Sequence, residues 1–254
     1  MNARKTAIVT GAGTGIGKAT ALRLAQDGYN LVLNGTRREP LEAVAKEIGA
    51  GKAVVAVADV SKREEAESIV ATAVKTFGGV DVVVNNAGVV LPGTADMLSD
   101  GDFERMMAVN VGGVRNVTLA ALPELRKSKG NVVNVSSVSG MRGDWAMYGY
   151  NASKGAVSLM TQGMALDLGR EGVRVNAVAP ATTNTRLAEP LKGAPKVSAA
   201  LNKRIPMGRL VEPEEVASVI SFLAGPDAAF VSGVILPVDG GLSASNGQPN
   251  FLDQ

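Results

Sequence analysis

Seven short apolar runs, rich in β-branched residues, alternate along the chain with stretches whose apolar residues recur at helical spacing. The runs lie near residues 5–10, 30–34, 53–58, 80–85, 131–135, 174–178 and 234–238. They are almost continuously apolar, as at Val82, Val83 and Val84, which is expected when helices cover both faces of a parallel sheet. The pattern predicts an α/β chain with a doubly wound, roughly seven-stranded parallel sheet.

The length and composition suit one compact domain. The chain has 254 residues, of which 46% are hydrophobic and 20% are charged, and no low-complexity stretch divides it. The 26 lysines and arginines nearly balance the 24 aspartates and glutamates without long blocks of one sign, so no nucleic-acid partner is expected. The chain carries no recognisable signal peptide and no apolar run of about 18 residues, which predicts a soluble cytoplasmic protein without a membrane partner.

Histidine and cysteine are both absent from the sequence. Their absence excludes a thiolate nucleophile, a Ser-His-Asp triad and an imidazole base. It also excludes the zinc sites that are built from these ligands, and no metal is expected. Acid-base chemistry near neutral pH must therefore use carboxylates, lysine or a tyrosine with a shifted pKa.

A glycine-rich loop follows the first apolar run. It comprises Gly11, Ala12, Gly13, Thr14, Gly15, Ile16 and Gly17, and a helical pattern opens within it. Backbone N–H groups and the helix dipole converge there, which suits a pyrophosphate and a Rossmann-type dinucleotide site. The spacing differs from GxGxxG because Ile16 stands where the last glycine would be. The alternative is a glycine-rich turn without a ligand.

The end of the second run bears on the choice of cofactor. In the dinucleotide fingerprint an acidic residue about 20 positions beyond the loop binds the ribose 2′-hydroxyl, whereas an arginine accommodates a 2′-phosphate. Here the corresponding stretch ends in Thr36, Arg37 and Arg38, with no carboxylate. The sequence therefore predicts NADP(H), with NAD(H) as the alternative if the arginines are only a solvated surface pair.

Tyr150 and Lys154 stand four residues apart at the start of a helical pattern, so their side chains share one helix face. A nearby cation favours the phenolate and moves a tyrosine toward the range useful for proton transfer. Such a pair alone is more often a surface feature. Ser137, at the end of the fifth run, adds a hydroxyl able to hydrogen-bond a substrate oxygen, although Ser136 and Ser139 are rival candidates.

Together these motifs resemble the short-chain dehydrogenase/reductase family over nearly the whole chain. The matching residues, in the family's order and spacing, are Gly11, Gly15, Gly17, Asp59, Val60, Asn85, Asn86, Ala87, Gly88, Asn110, Ser137, Tyr150 and Lys154. Residues 206–241 are most similar to 3-oxoacyl-[acyl-carrier-protein] reductases, a likeness shared by relatives with other substrates.

The resemblance implies four catalytic residues. Tyr150 would donate the proton in reduction, and Ser137 would polarise the carbonyl. Lys154 would hold the ribose hydroxyls and lower the pKa of Tyr150. Asn110 would support a proton-relay water.

The resemblance also implies cofactor contacts beyond the glycine loop. They involve Asp59, Val60, Asn86, Ala87, Gly88, Tyr150, Lys154, Pro180, Thr183 and Thr185. Asp59 would meet the adenine amino group, and the Thr183 backbone would meet the nicotinamide carboxamide. At Ala181 the chain departs from the glycine that the family usually has after the sixth strand.

The sequence does not name the substrate, which is expected to be a small carbonyl compound or alcohol, in either direction of reaction. Residues 185–206 interrupt the alternation and predict a mobile lid at the carboxyl edge of the sheet. The resemblance implies a homotetramer. A catalytically silent dinucleotide-binding regulator is the alternative, against which the intact Ser137, Tyr150 and Lys154 argue.

Overall fold

A parallel sheet of seven strands runs through the described part of the protein, as the apolar runs predict. The computed structural model describes residues 4–189, 193–246 and 248. The strands are β1 Thr6–Val9, β2 Asn30–Gly35, β3 Ala53–Val57, β4 Val82–Asn85, β5 Asn131–Val135, β6 Arg174–Pro180 and β7 Ile235–Val238. Their order is β3-β2-β1-β4-β5-β6-β7, with every neighbouring pair parallel, which confirms the doubly wound Rossmann fold.

Helices cover both faces of this sheet. They are α1 Gly15–Gln26, α2 Arg38–Ile48, α3 Arg63–Phe77, α4 Asp100–Met106, α5 Gly113–Ser128, α6 Tyr148–Leu168, α7 Pro195–Arg204 and α8 Pro213–Ala224. Successive strand residues point to opposite faces. In β1, Val9 joins a core that α1, α2 and α8 cover, whereas Ile8 joins a core that α3, α5 and α6 cover. This burial on both faces explains why the strand sequences are apolar throughout.

The sheet has its topological switch point between β1 and β4. The chain builds outward from β1 to β3 and then crosses back, so that Val9 of β1 pairs beside Val84 of β4. In open α/β sheets a ligand binds in the crevice beyond the carboxyl ends of the strands at this point. The glycine loop after β1 and the residues after β4 and β5 therefore meet at one edge.

Two features could not be read from the periodicity. A π-helical turn, Met107–Gly112, joins α4 to α5 and makes one continuous helical segment with a local widening. The predicted lid at 185–206 contains a 3₁₀ turn, Arg186–Ala188, and helix α7, while its residues 190–192 lie outside the described residues. Among the described residues, no helix is both long and apolar enough to cross a membrane.

Candidate active site

The glycine loop is a tight bend between β1 and α1 that side chains would obstruct. Gly11 and Gly15 have φ of +64° and +54°, a region that side chains disfavour. A Cβ at Gly17 would lie 2.2 Å from the Gly11 carbonyl oxygen. The loop therefore leaves its backbone open to a ligand at the N-terminus of α1, as a pyrophosphate site requires.

Thr10 ties this loop to the end of β4. Its hydroxyl oxygen accepts hydrogen bonds from the backbone N–H groups of Asn86 and Ala87, both at 2.9 Å. The Asn86 amide donates in return to the Thr10 carbonyl at 2.8 Å. Thr10 was not predicted as a site residue, because a threonine at a strand end has no distinctive signal by itself. Asn86 thus holds the loop in shape.

The end of β2 presents an exposed basic stretch beside the loop. Thr36, Arg37 and Arg38 are all exposed, and α2 begins at Arg38. Arg38 forms an ion pair with Glu42 at 3.4 Å. A Cβ at Gly13 would lie 2.9 Å from Cβ of Pro40, so the glycine loop and α2 are in close contact. The start of α2, which follows Arg37 directly, therefore lies close to the glycine loop.

Asp59 and Val60 follow β3 at the same edge. The Asp59 carboxylate accepts hydrogen bonds from Ser61 N and Ser61 Oγ, at 2.9 and 2.8 Å, and the side-chain bond is the main cause that lowers the pKa of Asp59. The Val60 side chain is buried, and its Cγ2 lies 2.6 Å from where a Cβ on Gly113 would stand. Asp59 is therefore held as a charged acceptor, whereas the Val60 side chain packs against α5.

Tyr150 and Lys154 lie on α6, and Ser137 lies in the turn that follows β5. The Lys154 ammonium lies 5.8 Å from the centroid of the Tyr150 ring and donates a 2.8 Å hydrogen bond to the Val135 carbonyl. Lys154 is only 5% exposed. The rival Tyr148 is partly exposed and stacks on Phe103, so it belongs to a different contact.

Burial governs the pKa of both groups. Desolvation raises the pKa of Tyr150 to about 12, while hydrogen bonding to Ser137 acts in the opposite direction and the charge of Asp144 adds to the rise. Desolvation lowers the pKa of Lys154 to about 8. Burial therefore sets the direction for Tyr150, whose pKa lies above its ordinary value, and the expected lowering by Lys154 stays a prediction. Near pH 7 both groups hold their protons.

Asn110 lies in the π-helical turn, beneath the loop that follows β4. Its Oδ1 accepts from Val89 N at 2.8 Å, and its Nδ2 donates to the Val89 carbonyl at 2.9 Å and to Ser153 Oγ at 3.0 Å. A Cβ on Gly88 would lie 3.2 Å from Asn110 Oδ1 and 3.6 Å from Lys154 Nζ. Gly88 thus leaves space above both residues. π-Helical turns often occur at functional sites.

The three serines after β5 take separate roles. Ser136 Oγ donates to the Lys154 carbonyl at 3.1 Å and lies 2.8 Å from Ser158 Oγ, so it supports α6. Ser137 Oγ donates to Ser139 Oγ at 3.2 Å, and Ser139 Oγ donates to the Asp144 carboxylate. Of the three, Ser137 is the one in contact with Tyr150. Asp144 was not predicted, because it lies in an irregular loop.

The turn after β6 closes the cofactor side of the site. Pro180 ends β6, and Ala181 is buried with its N–H donating to Val238 at 3.2 Å, so its methyl group is accommodated. Thr183 Oγ1 bonds back to the Ala181 carbonyl at 3.0 Å. The Thr185 side chain faces the glycine loop, with Cγ2 at 3.0 Å from where a Cβ on Gly15 would lie. Thr185 therefore borders the glycine loop.

The described loops and helices bring the predicted site residues to one edge of the sheet. Residues 190–192 of the predicted lid lie outside the described residues. Among the described residues, no group of carboxylate side chains is arranged to hold a metal ion. The edge offers a backbone anion site, an exposed arginine, and a half-buried tyrosine with a buried lysine beside a serine. Such a set can hold a dinucleotide and transfer a proton to a bound oxygen.

Comparisons with known proteins agree with this geometry. Residues 11–243 match the family described as enoyl-(acyl carrier protein) reductase. The chain is 41% identical over 249 residues to meso-2,3-butanediol dehydrogenase from Serratia marcescens, covering 98% of both chains. It is 39% identical over 241 residues to 3-oxoacyl-[acyl-carrier-protein] reductase from Thermotoga maritima, covering 94% of this chain and 97% of that protein.

Among solved structures, the chain superposes on a 3-ketoacyl-(acyl-carrier-protein) reductase from Brucella melitensis complexed with NADH. The TM-score is 0.89 at 35% sequence identity, with 94% of this chain and 98% of that chain covered. The likeness therefore extends over the whole Rossmann fold and over the edge where the predicted residues meet.

Proposed function

Because this chain belongs to the short-chain dehydrogenase/reductase family of nicotinamide-dependent oxidoreductases, we propose that Tyr150 is its acid–base residue and NADP(H) its hydride carrier. The observation that carries the proposal is the pair on α6, with the buried Lys154 Nζ 5.8 Å from the Tyr150 ring and Ser137 hydrogen-bonded to Tyr150. The reaction interconverts a carbonyl and a secondary alcohol.

The residues at the sheet edge fit such a cofactor. Gly11, Gly15 and Gly17 leave backbone exposed at the start of α1, and a Cβ at Gly17 would fill the bend. Gly88 keeps open the space next to Lys154, where ribose hydroxyls would accept from its ammonium. When bound, the nicotinamide supplies or accepts the hydride.

Each catalytic side chain has a defined task in this proposal. Ser137 hydrogen-bonds the substrate oxygen and holds it next to Tyr150. With its pKa raised to about 12, Tyr150 keeps its proton until charge develops on the carbonyl oxygen, and then transfers it there. The Lys154 ammonium stabilises the phenolate that remains. In alcohol oxidation Tyr150 first gives up its proton to solvent, and its phenolate then accepts the proton of the substrate hydroxyl.

Asn110 acts on this centre through α6. It bonds Ser153 Oγ at 3.0 Å, and Ser153 Oγ in turn donates to the Tyr150 carbonyl at 2.8 Å. The π-helical turn places the Asn110 amide there, next to Gly88 and Lys154. We also propose that a water between Asn110 and Lys154 carries protons from solvent back to the site.

The preference for NADP(H) is assigned to Arg37. This side chain is exposed just before α2, which contacts the glycine loop, while Arg38 is paired with Glu42. An arginine–phosphate hydrogen bond is charge-assisted and contributes about 1.5–3 kcal/mol. We expect Arg37→Ala to lower the ratio of kcat/KM for NADPH over NADH by about tenfold or more. An unchanged ratio in Arg37→Ala, with Arg38→Ala as the matched control, would contradict the assignment.

Turnover decides between this enzyme and a silent regulator. The regulator requires a site that binds the dinucleotide without reacting, whereas Ser137 is hydrogen-bonded to Tyr150 and Lys154 Nζ lies 5.8 Å from the Tyr150 ring. We expect the absorbance of NADPH to fall in the presence of a panel of small ketones. Tight binding of NADPH without any turnover across the panel would favour the regulator.

We also propose that four copies of the chain assemble, using α6 and the segment before β7. Leu159 and Leu166 on α6 are 71% and 84% exposed, and Phe230 before β7 is fully exposed. Large apolar side chains grouped on one surface are typical of interfaces. Light scattering is expected to give the mass of a tetramer, and Leu166→Glu is expected to lower it.

A further inference from the structure

One carboxylate lies two hydrogen bonds away from the reacting centre, and the mechanism above does not use it. Ser137 Oγ donates to Ser139 Oγ at 3.2 Å, and Ser139 Oγ donates to the Asp144 carboxylate. The charge of Asp144 also acts at Tyr150, where it raises the pKa of the phenol. The Asp144 carboxylate is therefore separated from the Ser137 hydroxyl by the Ser139 hydroxyl alone.

The loop backbone holds Asp144 in this place. The next residue but one, Ala146, has φ of +55°, an unusual conformation for a residue with a side chain. Its carbonyl accepts a 2.8 Å hydrogen bond from Gly93 N, and the Asn151 amide donates to the Asp144 carbonyl at 3.3 Å. Backbone strain of this kind persists only where the surroundings determine it, and it is common at ligand sites. Trp145, between them, is 99% exposed.

Among the described residues, Ser139 and Asp144 together leave one hydrogen-bond acceptor unused. Ser139 has one hydroxyl proton, and the Asp144 carboxylate takes it at Oδ2. An ionised carboxylate only accepts hydrogen bonds, so its second oxygen, Oδ1, has capacity for a donor from another molecule. Asp144 as a whole is exposed to solvent, which makes it accessible to a bound ligand.

We propose that Asp144 selects substrates with a hydroxyl group on the carbon next to the reacting one, namely vicinal diols and α-hydroxyketones. The inference rests on the proposed function, because Ser137 and Tyr150 place the reacting oxygen. A hydroxyl on the adjacent carbon donates to the Asp144 carboxylate, beyond Ser139. A group with only acceptor atoms, such as a thioester carbonyl, offers no donor to Asp144 Oδ1, and an anionic group is repelled.

The first test compares two alcohols that differ by one hydroxyl, 2,3-butanediol and 2-butanol, in oxidation by the full-length enzyme. The wild type is expected to prefer the diol in kcat/KM. Asp144→Ala is expected to lower the diol-to-monoalcohol ratio by about tenfold or more, as for the loss of a hydrogen bond to a charged group. Asp227→Asn, which removes an exposed carboxylate near the opposite end of the sheet, is the matched control and is expected to keep the wild-type ratio.

In a second measurement, substitution of Asp144 is expected to raise kcat/KM and not to lower it. For 3-hydroxybutyrate, which carries a carboxylate, Asp144→Asn is expected to raise kcat/KM several-fold relative to 2-butanol, because the repelling charge is gone. If Asp144 only positioned Ser137, its substitution would lower kcat/KM for all substrates together. The inference is overturned by a wild type that oxidises 2-butanol without preferring the diol, or by ratios that Asp144 substitutions do not change. A wild type that neither oxidises these alcohols nor reduces any ketone of the panel refutes the proposed function instead.

Discussion

Lys154→Met tests whether a protonated lysine is buried at the centre of this site. Lys154 is 5% exposed, and burial lowers its pKa from the ordinary 10.5 to about 8. A methionine keeps a chain of similar length and removes the charge. We expect the variant to lose carbonyl reduction and, at the same time, to change how the stability of the protein depends on pH.

The magnitude follows from the two pKa values. The fall from 10.5 to about 8 corresponds to a cost of about 3 kcal/mol for the charged form in the folded state. The folded pKa lies below the unfolded one, so the unfolded chain binds more protons between pH 8 and 10.5. The free energy of unfolding therefore rises with pH across this window. The cost is present in full below the folded pKa.

Urea unfolding at pH 7.5 and at pH 10, at one protein concentration, measures this effect. On going from the lower to the higher pH, the free energy of unfolding of the wild type should gain about 2 kcal/mol relative to Lys154→Met. Lys75→Met removes an exposed lysine from α3 and should follow the wild type. Parallel pH profiles of the wild type and Lys154→Met would refute the buried ammonium, whatever the activity of the variant.

Two further substitutions test the remaining parts of the site. Tyr150→Phe removes the proton donor and should lower kcat/KM for reduction about a hundredfold or more, while NADPH binding by fluorescence titration is retained; activity close to that of the wild type would assign the acid to another group. Gly17→Ala places a methyl group 2.2 Å from the Gly11 carbonyl oxygen and should raise the Kd for NADPH about tenfold or more. Gly163→Ala, which meets nothing within 4 Å, is its control, and equal Kd values in the two variants would contradict the reading of the loop.

Much of the fold could be predicted because its signals are local. The seven apolar runs correspond to the seven strands within a few residues, since burial on both faces leaves a continuous apolar pattern. The glycine loop was recognisable because a strand, a bend and a helix follow one another without interruption. The π-helical turn around Asn110 was not recognisable from the sequence, because it departs from the helical period only over a few residues.

The sequence by itself determined the sheet, the glycine loop and the pairing of Tyr150 with Lys154 on one helix face, because each depends on spacing along the chain. Only the tertiary structure decided how that pair titrates, since desolvation depends on every element packed around α6. It also decided that Thr10 ties β1 to the end of β4, and that Ser139 joins Ser137 to Asp144. Such contacts depend on side-chain positions across separate loops, and no repeat in the sequence encodes them.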